Sequence, residues 1–147
     1  MAHAQQQILD ALKSLLIVGA TMAGVRVFVD REDPLQASEL PAILIDEGEE
    51  GERSETEDLS GSEVRECSFM VACVMSSVEA AAARDFGLAV EKLIAGNLAL
   101  RQLAREGPYL LTNRRLQNGD GDRLLSGRMH TWRIAYAVEP NAPDVIT

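Results

Sequence analysis

Side chains that commonly carry catalysis are scarce in this sequence. Its two histidines, His3 and His130, have no cysteine, histidine or carboxylate at ligand spacing, which argues against a zinc site or a histidine-based triad. The sequence lacks a G-x-S-x-G elbow, a P-loop, a G-x-G-x-x-G after a strand and a C-x-x-C pair, the signatures of a nucleophile on a strained turn, a phosphate cradle and a dithiol site. Asn118-x-Asp120-x-Asp122 begins like a calcium loop, but Arg123 stands where a glycine must turn the chain and Met129 where a bidentate glutamate belongs. A hairpin turn is the better reading. The two cysteines, Cys67 and Cys73, fall on one strand-like run about 20 Å apart, too far to bridge. They read as buried apolar thiols in a reducing compartment. No catalytic, cofactor-binding or metal-ligating residue is assigned, and the expectation is a protein that is not an enzyme and needs no cofactor.

Positive charge is also in short supply. Fourteen Lys and Arg face 23 Asp and Glu, a net charge of −9. Phosphate binding depends on clustered Lys and Arg, so this balance argues against a nucleic-acid partner. No apolar run approaches the ~18 residues a membrane span requires. Lys13 followed by Leu15, Leu16, Ile17 and Val18 imitates a targeting segment. The i, i+4, i+7, i+8 spacing of Ile8, Leu12, Leu15 and Leu16 reads instead as the core face of a helix beginning near His3 and ending near Gly19 or Gly24.

What is present is a strand feeding a helix. From Val64 to Met75 residues alternate, with Cys67, Phe69, Val71 and Cys73 on one side and Met70, Ala72 and Val74 on the other. Ser76 and Glu79 are spaced as a capping box. Beyond them the period changes to 3.6, with Ala82, Phe86, Ala89, Val90, Leu93 and Ile94 on one face. Around this unit stand a strand at Val25–Val29, a loop from Asp30 to Ser38, and an interior strand at Ala42–Ile45 launched by Pro41. After the second helix, Gly96-Asn97 closes it and caps a shorter one, and Gly107-Pro108 ends that. A strand at Tyr109–Gln117, a turn at Asn118–Asp122 and a last strand at Arg128–Glu139 follow, with His130, Trp132, Ile134, Tyr136 and Val138 toward the core. Residues 140–147 read as a polar tail.

At 147 residues and 46% hydrophobic the chain is long enough to bury roughly 70% of its unfolded surface. It reads as one domain, 1–147. The element order has no run of parallel crossovers, so the fold class is α+β: a mostly antiparallel β-sheet with two main α-helices packed on one face. Residues 46–58 hold eight acidic residues, Asp46, Glu47, Glu49, Glu50, Glu52, Glu55, Glu57 and Asp58, with two glycines and Arg53. They read as a solvated acidic loop, mobile in the free subunit. Arg114 and Arg115 could grip an acidic partner or end a solvated strand. Met70, Ala72 and Val74 put apolar surface on the face away from the helices, where either another copy or the chain's own loops must cover it.

Together, the N-terminal amphipathic helix, the Leu40-Pro41-Ala42 strand start, the Gly/Glu-rich stretch, the alternating strand entering the second helix and the closing Trp132-x-Ile134-x-Tyr136 strand resemble the tail terminator (minor tail, tail completion) proteins of long-tailed bacteriophages, from a virion or a prophage. The resemblance runs from Leu9 to about Glu139. It implies a small α+β subunit that forms a hexameric ring on the finished tail tube, halts tube polymerisation and offers the surface to which the filled head attaches. The implied partners are further copies of itself, the tail tube protein and a head-completion (connector) protein. The implied location is the virion tail, with the host cytoplasm during assembly. In such a ring the acidic stretch would face the lumen and repel DNA, meet a basic surface on the tube or head side, or stand as a solvated tip. Other readings are another head-tail joining or tube protein of the same fold, and a small cytoplasmic α+β enzyme or ligand-binding domain with a pocket between sheet and loop.

Overall fold

A computed structural model describes residues 3–57, 61–76, 79–120 and 123–147. Helix α1 covers Ala4–Val18, capped by the His3 side chain, which accepts from the Gln5 N–H. Strand β1 (Val27–Val29), a 3₁₀ turn (Ala37–Glu39), β2 (Ala42–Glu57), β3 (Glu63–Met75), α2 (Ala80–Gly96), α3 (Leu98–Leu103), β4 (Glu106–Asp120), β5 (Arg123–Glu139) and β6 (Ala142–Ile146) follow. The strands form one six-stranded sheet in the order β1-β2-β3-β5-β4, with β6 added to β5. Its β1–β2 pair is parallel and its other pairs antiparallel, so the architecture is α+β as the element order implies.

The core lies between the sheet and the helices. Ile8, Leu12 and Leu16 of α1, Phe86, Val90 and Ile94 of α2, and Leu100 of α3 meet Ile43 and Ile45 of β2, Phe69 and Val71 of β3, and Trp132, Ile134 and Tyr136 of β5. The helix-facing side of β3 is the one its alternation marks out, with Cys67, Phe69, Val71 and Cys73 all buried. Burial pushes both thiols up to about 12, which keeps them protonated and unreactive. Gly127 allows β5 to lie close against β3, because a Cβ there would come within 1.8 Å of the Cys73 carbonyl oxygen. On α2, Gly87 allows a similar approach, since its Cβ would meet the Arg128 side chain at 2.7 Å.

Several expectations need correction. The residues read as an acidic loop, 46–58, are strand as far as Glu57, paired with β3 from Glu52↔Cys67 to Glu57↔Glu63. Asp58 lies outside the described residues. A strand forms here without apolar alternation because β3, held by its buried Cys67 and Phe69, offers a backbone ladder that the acidic strand can join without burying apolar side chains of its own. The two glycines serve the strand. Gly51 takes φ +63 at the register shift between Glu47 and Glu52, as a bulge residue does, and Gly48 sits tight against Ser68. The tail at 140–147 is likewise no free end, since β6 pairs Val138↔Ile146 and Glu139↔Ala142. No Ser76 capping box forms: α2 begins at Ala80 after Glu79, which makes no side-chain cap. The final hairpin is longer than its polar sequence suggests, because β4 continues through Asn118 to Asp120 and β5 starts at Arg123. The turn itself, 121–122, lies outside the described residues.

Candidate interaction surface

The two faces of the sheet divide the candidate residues. At the distal end of the β2–β3 hairpin, the helix-facing side carries an ion-pair network. Glu52 stands opposite Cys67 in the register and therefore turns inward. It accepts from the Tyr136 hydroxyl and from Arg65 Nη1 at 2.6 Å, while Arg65 Nε donates to Glu63 at 3.0 Å. The His3 ring, at the start of α1, lies 3.6 Å from Glu52. Hydrogen bonds from Ser54 and Arg65 hold the Glu63 carboxyl below its usual range. The Tyr136 phenol is raised, first by burial and then by its bond to Glu52. Glu52 is thus engaged within the chain.

The opposite face carries a second set. Glu66 is buried, with Arg53 Nη2 and Arg133 Nη1 each at 3.5 Å, so it ties β2 to β5 across β3. Arg133 in turn lies over the Tyr109 ring, 5.7 Å from its centre. Beyond them Gly48, Ser68, Met70, Leu111, Thr112, Arg114 and Thr131 line an open trough of about 370 Å³. None of the residues lining this trough is a carboxylate, histidine or cysteine, so it offers shape and one cation but no acid–base pair.

Of the residues proposed to contact a partner, Asp46, Glu47, Glu49, Glu50, Glu55 and Glu57 lie along β2. Glu47 is exposed, and Asp46 is half-buried with its carboxyl raised by burial and by neighbouring Asp30. Arg114 and Arg115 are both exposed on β4, but strand alternation sends them to opposite faces, so they do not form a single two-armed grip. Arg115 stands opposite Arg128 and Arg114 opposite Met129. Met70, Ala72 and Val74 do share the outer face. Ala72 and Val74 are already covered, at 8% and 3% exposure, because Leu44 and Met129 flank the first, and Ala42 and Gly127 the second. Met70, half-buried in the trough, is the one of the three still open to a neighbour.

Sequence reasoning missed both ion-pair sets. Arg65 sits in register with the core-facing residues of β3 and Glu66 with the outward ones, which was readable. Their β2 partners, Glu52 and Arg53, lie in the stretch that reads as a loop. His130, expected in the core, is there, buried edge-on to Trp132 with ring centres 6.2 Å apart. Burial and the nearby Arg128 charge depress it to about 4. No group of three or more potential metal ligands occurs among the described residues. No helix there is long and apolar enough to cross a membrane.

No family model matches the chain, and no curated protein matches it. Among solved structures, a chain from the "Virion of native gene transfer agent (GTA) particle" superposes with a TM-score of 0.51 at 15% identity, covering 92% of both chains. At that identity the likeness is one of fold, and it extends over nearly the whole length of each protein.

Proposed function

We propose that this chain is a structural component of a phage-like tail: a terminator whose copies form a ring on the end of the tail tube, stop its polymerisation and present the surface to which the head attaches. The observation that carries this reading is the fold shared, over 92% of each chain, with a chain of a gene transfer agent virion. It agrees with the tail-terminator pattern of helix, Leu-Pro-Ala strand start and closing Trp-x-Ile-x-Tyr strand. The physical character of the molecule fits. The residues lining its trough include no carboxylate, histidine or cysteine, and a net charge of −9 suits a part through which DNA must pass without being held. The partners are further copies of the chain, the tube protein below and a head-completion protein above. Its place is the virion tail, reached from the cytoplasm of the host, with the gene in a phage or prophage.

The structural neighbour belongs to a whole virion particle, so a second reading, another head-tail joining or tube protein of this fold, has the same support. Omitting the chain from an otherwise complete tail-assembly system separates the two. A terminator's absence leaves tubes of unregulated length and heads without tails. Short or absent tubes support the tube-protein reading, and normal tails with normal attachment contradict both.

A further inference from the structure

The sheet has two free edges, at opposite ends of its strand order, and they carry opposite charge. On one side β1 pairs only with Ile43, Leu44 and Ile45. From Asp46 to Glu57, therefore, β2 has no strand on that side among the described residues, and this stretch holds seven acidic residues against Arg53 alone. On the other side β4 is the outermost strand. Between Gly107 and Gly119 it contains no acidic residue. Its exposed section from Leu111 to Arg115 includes Arg114 and Arg115, with Arg128 of β5 directly across from Arg115. Tyr109 and Leu111 are 49% and 53% exposed, so the basic edge also has apolar surface to offer.

We infer that copies of this chain join edge to edge, with the acidic free edge of β2 in one copy laid against the basic edge of β4 in the next. The inference rests on the ring reading above and specifies which surfaces make the ring. Charge complementarity selects the pairing: acid against acid and base against base are both repelled, which disfavours a two-fold dimer through either edge and leaves the head-to-tail contact. Strand direction agrees. Successive strands β2, β3, β5 and β4 alternate in sense, so a neighbour related by rotation about an axis along the strands presents its β2 antiparallel to β4. Among the described residues both stretches are outermost in the sheet, where a further strand can continue the ladder. A heterologous contact of this kind closes into a ring when its rotation divides a full turn. The trough beside Arg114 and Leu111 lies next to that seam.

Charge reversal tests the pairing. One full-length variant carries Arg114→Glu and Arg115→Glu, and a second carries Glu47→Lys, Glu49→Lys, Glu50→Lys, Glu55→Lys and Glu57→Lys, which leaves two acidic residues against six basic ones between Asp46 and position 57. Thermal melts first establish that each folds. Native mass spectrometry and sedimentation velocity at low salt are then run on the wild type, on each variant, and on an equimolar mixture. The wild type should associate, and increasingly as salt falls. Each variant alone should associate at least about tenfold more weakly, because both its edges now have one sign. The mixture should recover oligomers holding the two variants in equal number, since the two unaltered edges pair as in the wild type and the two altered edges pair with their charges exchanged.

Variants that associate as the wild type does overturn the edge assignment and leave the ring reading standing on another surface. Loss of association without recovery on mixing also overturns it. A wild type that stays monomeric at millimolar concentration and low salt overturns the edge-to-edge contact as well, and gives the acidic edge the role of preventing aggregation. The ring reading itself fails only if assembled tails show no ring of this chain.

Discussion

The first four residues of β2 and the twelve that follow belong to one strand but are held by different forces. Ala42, Ile43 and Ile45 are fully buried, with β1 on one side and β3 on the other. Burying an isoleucine side chain stabilises by about 1.5–3 kcal/mol, so packing is a large part of what holds this half. From Asp46 onward the strand has β3 as its one strand neighbour among the described residues. Here the ladder to β3 and the ion pairs of Glu52 with Arg65, and of Arg53 with Glu66, replace hydrophobic burial. A charged sequence can thus be drawn into a sheet when its partner is anchored. Cys67 and Phe69 anchor β3 from the helix side.

The sharpest break in this comparison comes from truncating one side chain in each half. Ile43→Ala removes a fully buried side chain between two strands and should cost about 2–5 kcal/mol in equilibrium urea unfolding. Glu47→Ala, on the exposed half, should stay within about 0.5 kcal/mol. Similar costs at the two positions would mean that the halves are held alike.

Acid should next separate the core from the hairpin end. His130 is neutral in the fold down to about 4, against an ordinary value of 6.5. Below pH 6.5 the unfolded chain therefore binds a proton that the folded chain does not, and stability falls as the pH drops from about 6.5 to about 4, by up to about 3 kcal/mol, then levels off for this group. Glu63 acts in the same sense in a lower window, with its folded value lowered from 4.5. Its contribution is present above that value and is lost as the pH falls through its depressed one. His130→Leu should flatten the first window and leave the second. A slope between pH 6.5 and 4 unchanged by that substitution would contradict the account.

A smaller effect is expected at Tyr136, whose hydroxyl reaches Glu52 from the buried side. Tyr136→Phe should cost about 1–3 kcal/mol. Hydrogen exchange should speed up at the amides around Glu52 and Arg53 while those at Ile43 to Ile45 stay protected. Uniform loss of protection along β2 would show that the two halves open as one unit.

These contrasts also explain how far the sequence could be read. Periodicity recovered the elements whose side chains face the core: the stripe from Ile8 to Leu16, the Cys67 to Cys73 alternation, and the Trp132 to Val138 face are all buried as their spacing requires. It failed where a strand forms through backbone pairing. Asp46 to Glu57 shows no apolar alternation because that half is not held by apolar burial, and β6, at five residues, is too short to show a period. The candidate contacts fared likewise. Glu47, Arg114 and Arg115 are exposed as a contact surface needs. Glu52 is committed to Tyr136 and Arg65, a pairing visible only once β2 is known to continue. The placement of acid on one sheet edge and base on the other depends on strand order, which no local pattern in the sequence reveals.

Imaging of purified tails that carry this chain, with averaging at both tube ends and a label fused to its C-terminus, tests the central claim most directly. The account predicts a single closed ring of six labelled copies at the head-proximal end and none along the tube. Label repeating along the whole tube, or a head-proximal end without a ring, would contradict it.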